Sequence, residues 1–182
     1  MLIGLDTNIL CYSLDPAYPE HKKLRSLLVN LSQENVAAIN PTVLHETYHT
    51  LVFSQKWVPG EVRRRLRMLL VHPYVEFFSQ SKKTSTVALN LAVQYRLGGR
   101  DALVTACFLS NKVPVLYTHD RELLALRKVS WRSFTMVIKD PLASDNGKQP
   151  VKTRGRPARK HVFTSTSAGE RFAPRIRRAA PI

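Results

Sequence analysis

Along residues 1–140, short apolar runs alternate with longer segments whose apolar residues recur at helical spacing. No other feature constrains the fold as tightly. The runs "LIGL", "VAAIN", "YVEFF", "VPVLY" and "SFTMVI" have the length and content of buried strands. Between them, Leu24, Leu27, Leu28 and Leu31 share one helical face, and Pro41 suits the first turn of a helix carrying Val43, Leu44, Thr47 and Leu51. Val62, Leu66, Leu69 and Leu70 mark a third helix, and Val87, Ala88, Leu91 and Tyr95 a fourth. "RDALVTACFLSNK" and the shorter "RELLAL" complete the series. Strands and helices in such alternation predict an α/β sandwich on a mostly parallel central sheet.

Charge divides the chain in two. The formal net charge is +15, and residues 141–182 supply +8 of it, with ten Lys/Arg against Asp145 and Glu170. That segment is rich in Pro, Ser, Thr and Gly and lacks apolar periodicity. It is expected to be a disordered basic tail following a domain over residues 1–140. A surplus of this size favours a polyanionic partner, nucleic acid before membrane surface. No apolar run approaches the eighteen or so residues of a membrane span, so no membrane partner is expected. "MLIGLDTNIL" lacks a basic leader and is interrupted by Asp6, which argues for a first strand over a signal peptide. Cys11 and Cys107 both lie in apolar stretches and read as buried thiols of a cytoplasmic protein.

Four acids stand out by context. Asp6 ends the first strand, and Asp120 falls just past the strand "VPVLY". The C-terminal edge of an open α/β sheet is where ligands bind. Asp101 opens a helix, and Glu46 lies early in the helix after the second strand. If the two strands are neighbours, the four carboxylates converge, and such a cluster stays ionised only around a cation. Hard oxygen donors select Mg²⁺ or Mn²⁺, the metals of phosphodiester hydrolysis. Simpler roles compete: Asp101 and Asp120 are each placed to cap a helix, and a helical glutamate is ordinarily solvated. "HETYH", residues 45–49, also spells the H-E-x-x-H of zinc hydrolases. Val52 and Gln55 stand where the extended form of that motif requires Gly and His, which excludes that form.

Taken jointly, "LDTNIL", "LHET", "GGRDALVTAC" and "YTHDREL" resemble the PIN domain, and within it the VapC-type ribonuclease toxins of toxin–antitoxin pairs. The likeness spans roughly residues 1–140 and implies a PIN-like α/β/α sandwich. It also implies a Mg²⁺- or Mn²⁺-dependent endoribonuclease in which Asp6, Glu46, Asp101 and Asp120 hold the metal and position water. Asn8 and Thr118 would orient those carboxylates. Leu123 stands where the family commonly has an aromatic residue, and the basic tail is a further departure. The implied partners are an RNA substrate, a cognate antitoxin and a second copy of the chain. Arg63, Arg64 and Arg67 are placed to contact RNA phosphates, the competing reading being an ordinary solvated face. The competing function is a PIN-like module that binds RNA or protein without cutting.

Overall fold

The computed structural model describes residues 1–143. The tail expected to be disordered lies, but for its first three residues, outside the described residues. In chain order the elements are β1 (Leu2–Leu5), α1 (Thr7–Leu14), α2 (His21–Val29), β2 (Val36–Ile39), α3 (Pro41–His49) and α4 (Pro59–Leu70). There follow β3 (Val75–Phe77), α5 (Lys82–Tyr95), α6 (Gly99–Ser110), β4 (Val115–Tyr117), α7 (Arg121–Leu126), β5 (Lys128–Trp131) and β6 (Phe134–Lys139). Among the described residues the strands form one sheet in the order β3-β2-β1-β4-β6-β5. Every pairing is parallel except that of β5 with β6. The expected α/β sandwich with a mostly parallel sheet is the fold observed.

Helix starts follow local chemistry. Asn40 caps α3 by accepting from the Val43 amide, with Pro41 in the first turn. Ser81 and Thr84 form a reciprocal capping box at α5. Asp6 and Asp120 cap α1 and α7, accepting the Thr7 amide and the Glu122 and Leu123 amides respectively. Helix α3 runs directly into a π-helical turn over Thr50–Ser54.

Two elements depart from the sequence reading. Helix α1 was not anticipated: it buries Ile9, Leu10, Cys11 and Ser13, so polar and apolar residues do not segregate into a visible stripe. The edge strand β5 was also not anticipated, because its four residues are too few to show an alternation. Both thiols are buried, as expected. Burial pushes Cys11 up to about 12 and Cys107 up to about 11, which makes them poor nucleophiles.

The chain order carries the consequence for function. From β1 the sheet grows through β2 to β3 on one side and through β4 to β6 on the other. The switch point of strand order therefore lies between β1 and β4, which pair in parallel with Leu5 beside Tyr117. Helix α6 covers the middle of the sheet, burying Ala102 and every residue from Val104 to Leu109. Its Phe108 lies so close over β1 that a methyl group on Gly4 would meet the ring at 2.9 Å. Phe108 is fully buried and has nowhere to retreat. Gly4→Ala is expected to lower unfolding free energy by about 1–3 kcal/mol, the usual cost of overpacking, measured by urea denaturation against wild type.

Candidate active site

Asp6 and Asp120 follow directly from the switch point. Asp6 continues β1, its amide donating to the Tyr117 carbonyl across the β1–β4 seam at 3.0 Å. The residue is only 8% exposed, and both carboxylate oxygens accept hydrogen bonds. Oδ1 accepts the Thr7 amide at 2.7 Å, while Oδ2 accepts the Thr118 hydroxyl at 2.6 Å and the Asn8 amide at 3.1 Å. Asn8 also donates to Thr118 Oγ1 at 3.3 Å and accepts the His119 amide, and Thr118 Oγ1 accepts the Asp120 amide. Asn8 and Thr118 thus tie the ends of the two central strands together around one carboxylate.

Glu46 and Asp101 come from helices flanking the seam. Glu46 Oε2 accepts the Thr7 hydroxyl at 3.0 Å, which turns it toward the end of β1. Its Oε1 is engaged by the Arg100 guanidinium, from the residue preceding Asp101 on α6. Asp101 sits in the first turn of α6, but Gly98 occupies the N-cap position and no side chain caps that helix. The capping role considered for Asp101 is therefore not the one it plays. Asp120 does cap its helix, with both amide contacts on Oδ1.

All four acids line one cavity of about 300 Å³, together with Thr7, Asn8, Cys11, Tyr12, Tyr18, Thr50 and Arg100. Burial pushes the Asp6 carboxyl up to about 6, even though the bonds from Thr118 and Thr7 pull the other way. The charges of Asp101 and Asp120 add to the rise. Asp101 is also raised, by burial first and then by Asp120 and Glu46, with Arg100 offsetting part of it. Carboxylates that lift one another's proton affinity form a donor set suited to a hard divalent cation. As the side chains are arranged, with Glu46 on Arg100, no three His, Cys, Asp or Glu side chains among the described residues stand close enough to hold one ion.

The other sequence candidates lie elsewhere. Arg63 and Arg67 line a separate groove between α3 and α4 with His45. Arg64 pairs with Glu61, and none of the three arginines lines the acidic cavity. His49 packs against Phe53 with ring centroids 4.9 Å apart, so the two histidines of "HETYH" turn away from the cavity that Glu46 enters. Leu123 is buried beneath Asp120, filling the anchoring position with an aliphatic side chain.

Several cavity residues were given no role from sequence. Thr7 lies inside the quoted "LDTNIL", and its two bonds to acids give it a role that the spelling alone does not specify. Tyr12 and Tyr18 form an aromatic wall with ring centroids 4.6 Å apart. Arg100 could not have been found, since nothing in the spacing brings residue 100 to residue 46.

A parallel sheet whose switch point gathers four carboxylates defines the class to which the chain belongs. The chain belongs to the PIN domain family, whose model matches residues 3–129. Solved structures of the same fold include VapC20 of Mycobacterium tuberculosis, a Sarcin-Ricin loop cleaving toxin, at TM-score 0.58 and 16% identity. That match covers 68% of this chain and 94% of the other. VapBC2 from Rickettsia felis, bound to a DNA fragment from its promoter, matches at 0.56 and 18% identity, over 77% and 98% of the two chains. VapBC-1 from nontypeable Haemophilus influenzae matches at 0.53 and 15%, over 78% and 98%. No curated protein sequence matches the chain.

The elevated Asp6 carboxyl has a definite stability signature. The folded protein holds this proton to a higher pH than the unfolded chain, where the ordinary value is near 3.8. The resulting stabilisation is complete below that value and is lost as pH rises through about 6. The loss amounts to about 3 kcal/mol. Asp101 shifts in the same direction. Urea denaturation in EDTA should show stability falling over this window, and Asp6→Asn should flatten the fall and stabilise the protein at neutral pH.

Proposed function

We propose that the chain is a Mg²⁺- or Mn²⁺-dependent endoribonuclease acting as the toxin of a toxin–antitoxin pair, with residues 1–140 as its nuclease domain. The observation that carries this reading is the single cavity at the β1–β4 seam lined by Asp6, Glu46, Asp101 and Asp120. Family membership and the toxin among the structural neighbours support it. The VapC-type resemblance extends the proposal to a cognate antitoxin and a homodimer.

The four carboxylates would hold the ion, which when bound would supply a water of lowered pKa and charge stabilisation for the phosphate. The chain's own residues prepare that site. Thr118, Asn8 and the Thr7 amide fix both oxygens of Asp6, so its orientation need not be found anew on each turnover. Thr7 holds Glu46 toward the same point through its hydroxyl. Burial and neighbouring charge raise the proton affinities of Asp6 and Asp101 in the metal-free protein, an imbalance that a bound cation would relieve. The net charge of +15 favours a polyanionic substrate over a small neutral one.

Incubation of purified protein with single-stranded RNA and Mn²⁺ should give endonucleolytic products. EDTA, Asp6→Asn or Asp101→Asn should each reduce cleavage by about a hundredfold or more. Cleavage that survives EDTA or Asp6→Asn would remove the metal-nuclease reading, and RNA binding without cleavage would put the non-catalytic module in its place. Thr118→Val, which removes an orienting bond and leaves every carboxylate, is expected to cost roughly 10–100-fold in activity or metal affinity.

A further inference from the structure

We propose that Arg100 is an exchangeable counter-ion: it competes with the divalent cation for Glu46 and, once displaced, binds a non-bridging oxygen of the substrate phosphate. The inference rests on the metal-nuclease reading and assigns to this site a phosphate-binding residue supplied by the chain itself.

Three observations lead there. Arg100 is the one basic residue among those lining the acidic cavity, since Arg63, Arg64 and Arg67 border other grooves. A phosphate approaching four carboxylates needs a cation at the rim as well as one inside, and no other side chain lining this cavity provides it. The second observation is the form of the contact. Nη1 alone engages Glu46, and only through Oε1, while Oε2 is taken by the Thr7 hydroxyl. The guanidinium thus makes a single-pronged contact, although its planar fork is built for two-pronged grips on carboxylate or phosphate. The third is exposure: the Arg100 side chain is 79% accessible and that of Glu46 22%. An ion pair that open to water is weak, worth no more than severalfold in an equilibrium constant.

A weak, exposed, single-pronged pair on a carboxylate of the acidic cavity has the properties of a temporary partner. When a cation takes Glu46, the guanidinium is freed within the same cavity, where a phosphate bound to that cation would lie. Each event favours the other, so metal and RNA should bind with positive coupling. The simpler account is a surface tether joining α3 to α6. It predicts that removing the guanidinium leaves substrate binding, and hence KM, unchanged.

Competition for Glu46 is read without catalysis, and the grip on phosphate is read from KM. Mn²⁺ affinity would be measured by electron paramagnetic resonance of the free ion for wild type, Arg100→Gln, Arg100→Ala and Arg100→Lys. KM and kcat on a single-stranded RNA would be measured in parallel. Removing the competitor should tighten Mn²⁺ binding by roughly two- to fivefold in Arg100→Gln and Arg100→Ala. The same variants should raise KM by about tenfold, the opposite direction, because the phosphate has lost its grip. Arg100→Lys should fall between them, keeping the charge without the fork. Unchanged or weaker Mn²⁺ binding in both neutral variants, or an unchanged KM, would overturn the inference. If wild type binds Mn²⁺ and cuts RNA under those outcomes, the nuclease reading stands and this one alone fails. A wild type that binds no Mn²⁺ overturns both.

Discussion

The organisation of the site depends on one buried carboxylate. Asp6 stands at the end of the central strand, where parallel neighbours leave little water and the sheet reverses its strand order. Burying a charge there is unfavourable unless the surroundings answer it. The answer comes from both sides of the seam: the Thr7 amide and Asn8 from β1's own continuation, and the Thr118 hydroxyl from the end of β4. The three donors do not fully offset the desolvation, since the carboxyl stays well above its ordinary range. The residual imbalance is what a hard cation would relieve. Fold stability and the unmet charge of the cavity are thus two aspects of the same electrostatic problem.

Much of this was legible in the amino-acid order. Five of the six described strands appear as apolar runs, and the placement of Asp6 and Asp120 after two of them locates the edge of the sheet at which the acidic cavity lies. Glu46 and Asp101 are weaker signals singly, because a helical acid is usually solvated or capping. Asp120 illustrates the difficulty, for it is both a cap and a cavity residue. What the sequence withholds is contact between elements distant along the chain. Arg100 meets Glu46 only because α3 and α6 approach each other beside the seam, and a local reading of "GGRDAL" contains no trace of that. Helix α1 escapes for the opposite reason: its surroundings bury so much of it that its polar and apolar residues form no stripe.

The pattern "HETYH" shows how spelling and geometry diverge. On a helix, positions 45 and 49 share a face, and the residue between them in the sequence points elsewhere. Here His45 borders the α3–α4 groove and His49 packs on Phe53, while Glu46 turns into the acidic cavity. The π-helical turn that follows brings Thr50 to the cavity as well. One helix therefore presents an apolar groove wall on one side and oxygen donors on another.

The dual position of Asp120, cap and cavity wall, ties the acidic cavity to the integrity of a secondary-structure element. Helix α7 is only six residues long, too short to persist without help, and its first turn hangs on Oδ1 of that aspartate and on the buried Leu123. A residue chosen at position 120 must therefore satisfy two selections at once. Asn or Ser would preserve the cap and forfeit the negative charge, whereas Glu would preserve the charge and misplace the cap. Aspartate alone among the common side chains meets both demands; were the charge no longer needed, Asn or Ser could stand here, whereas an apolar side chain would undo the cap and the helix with it.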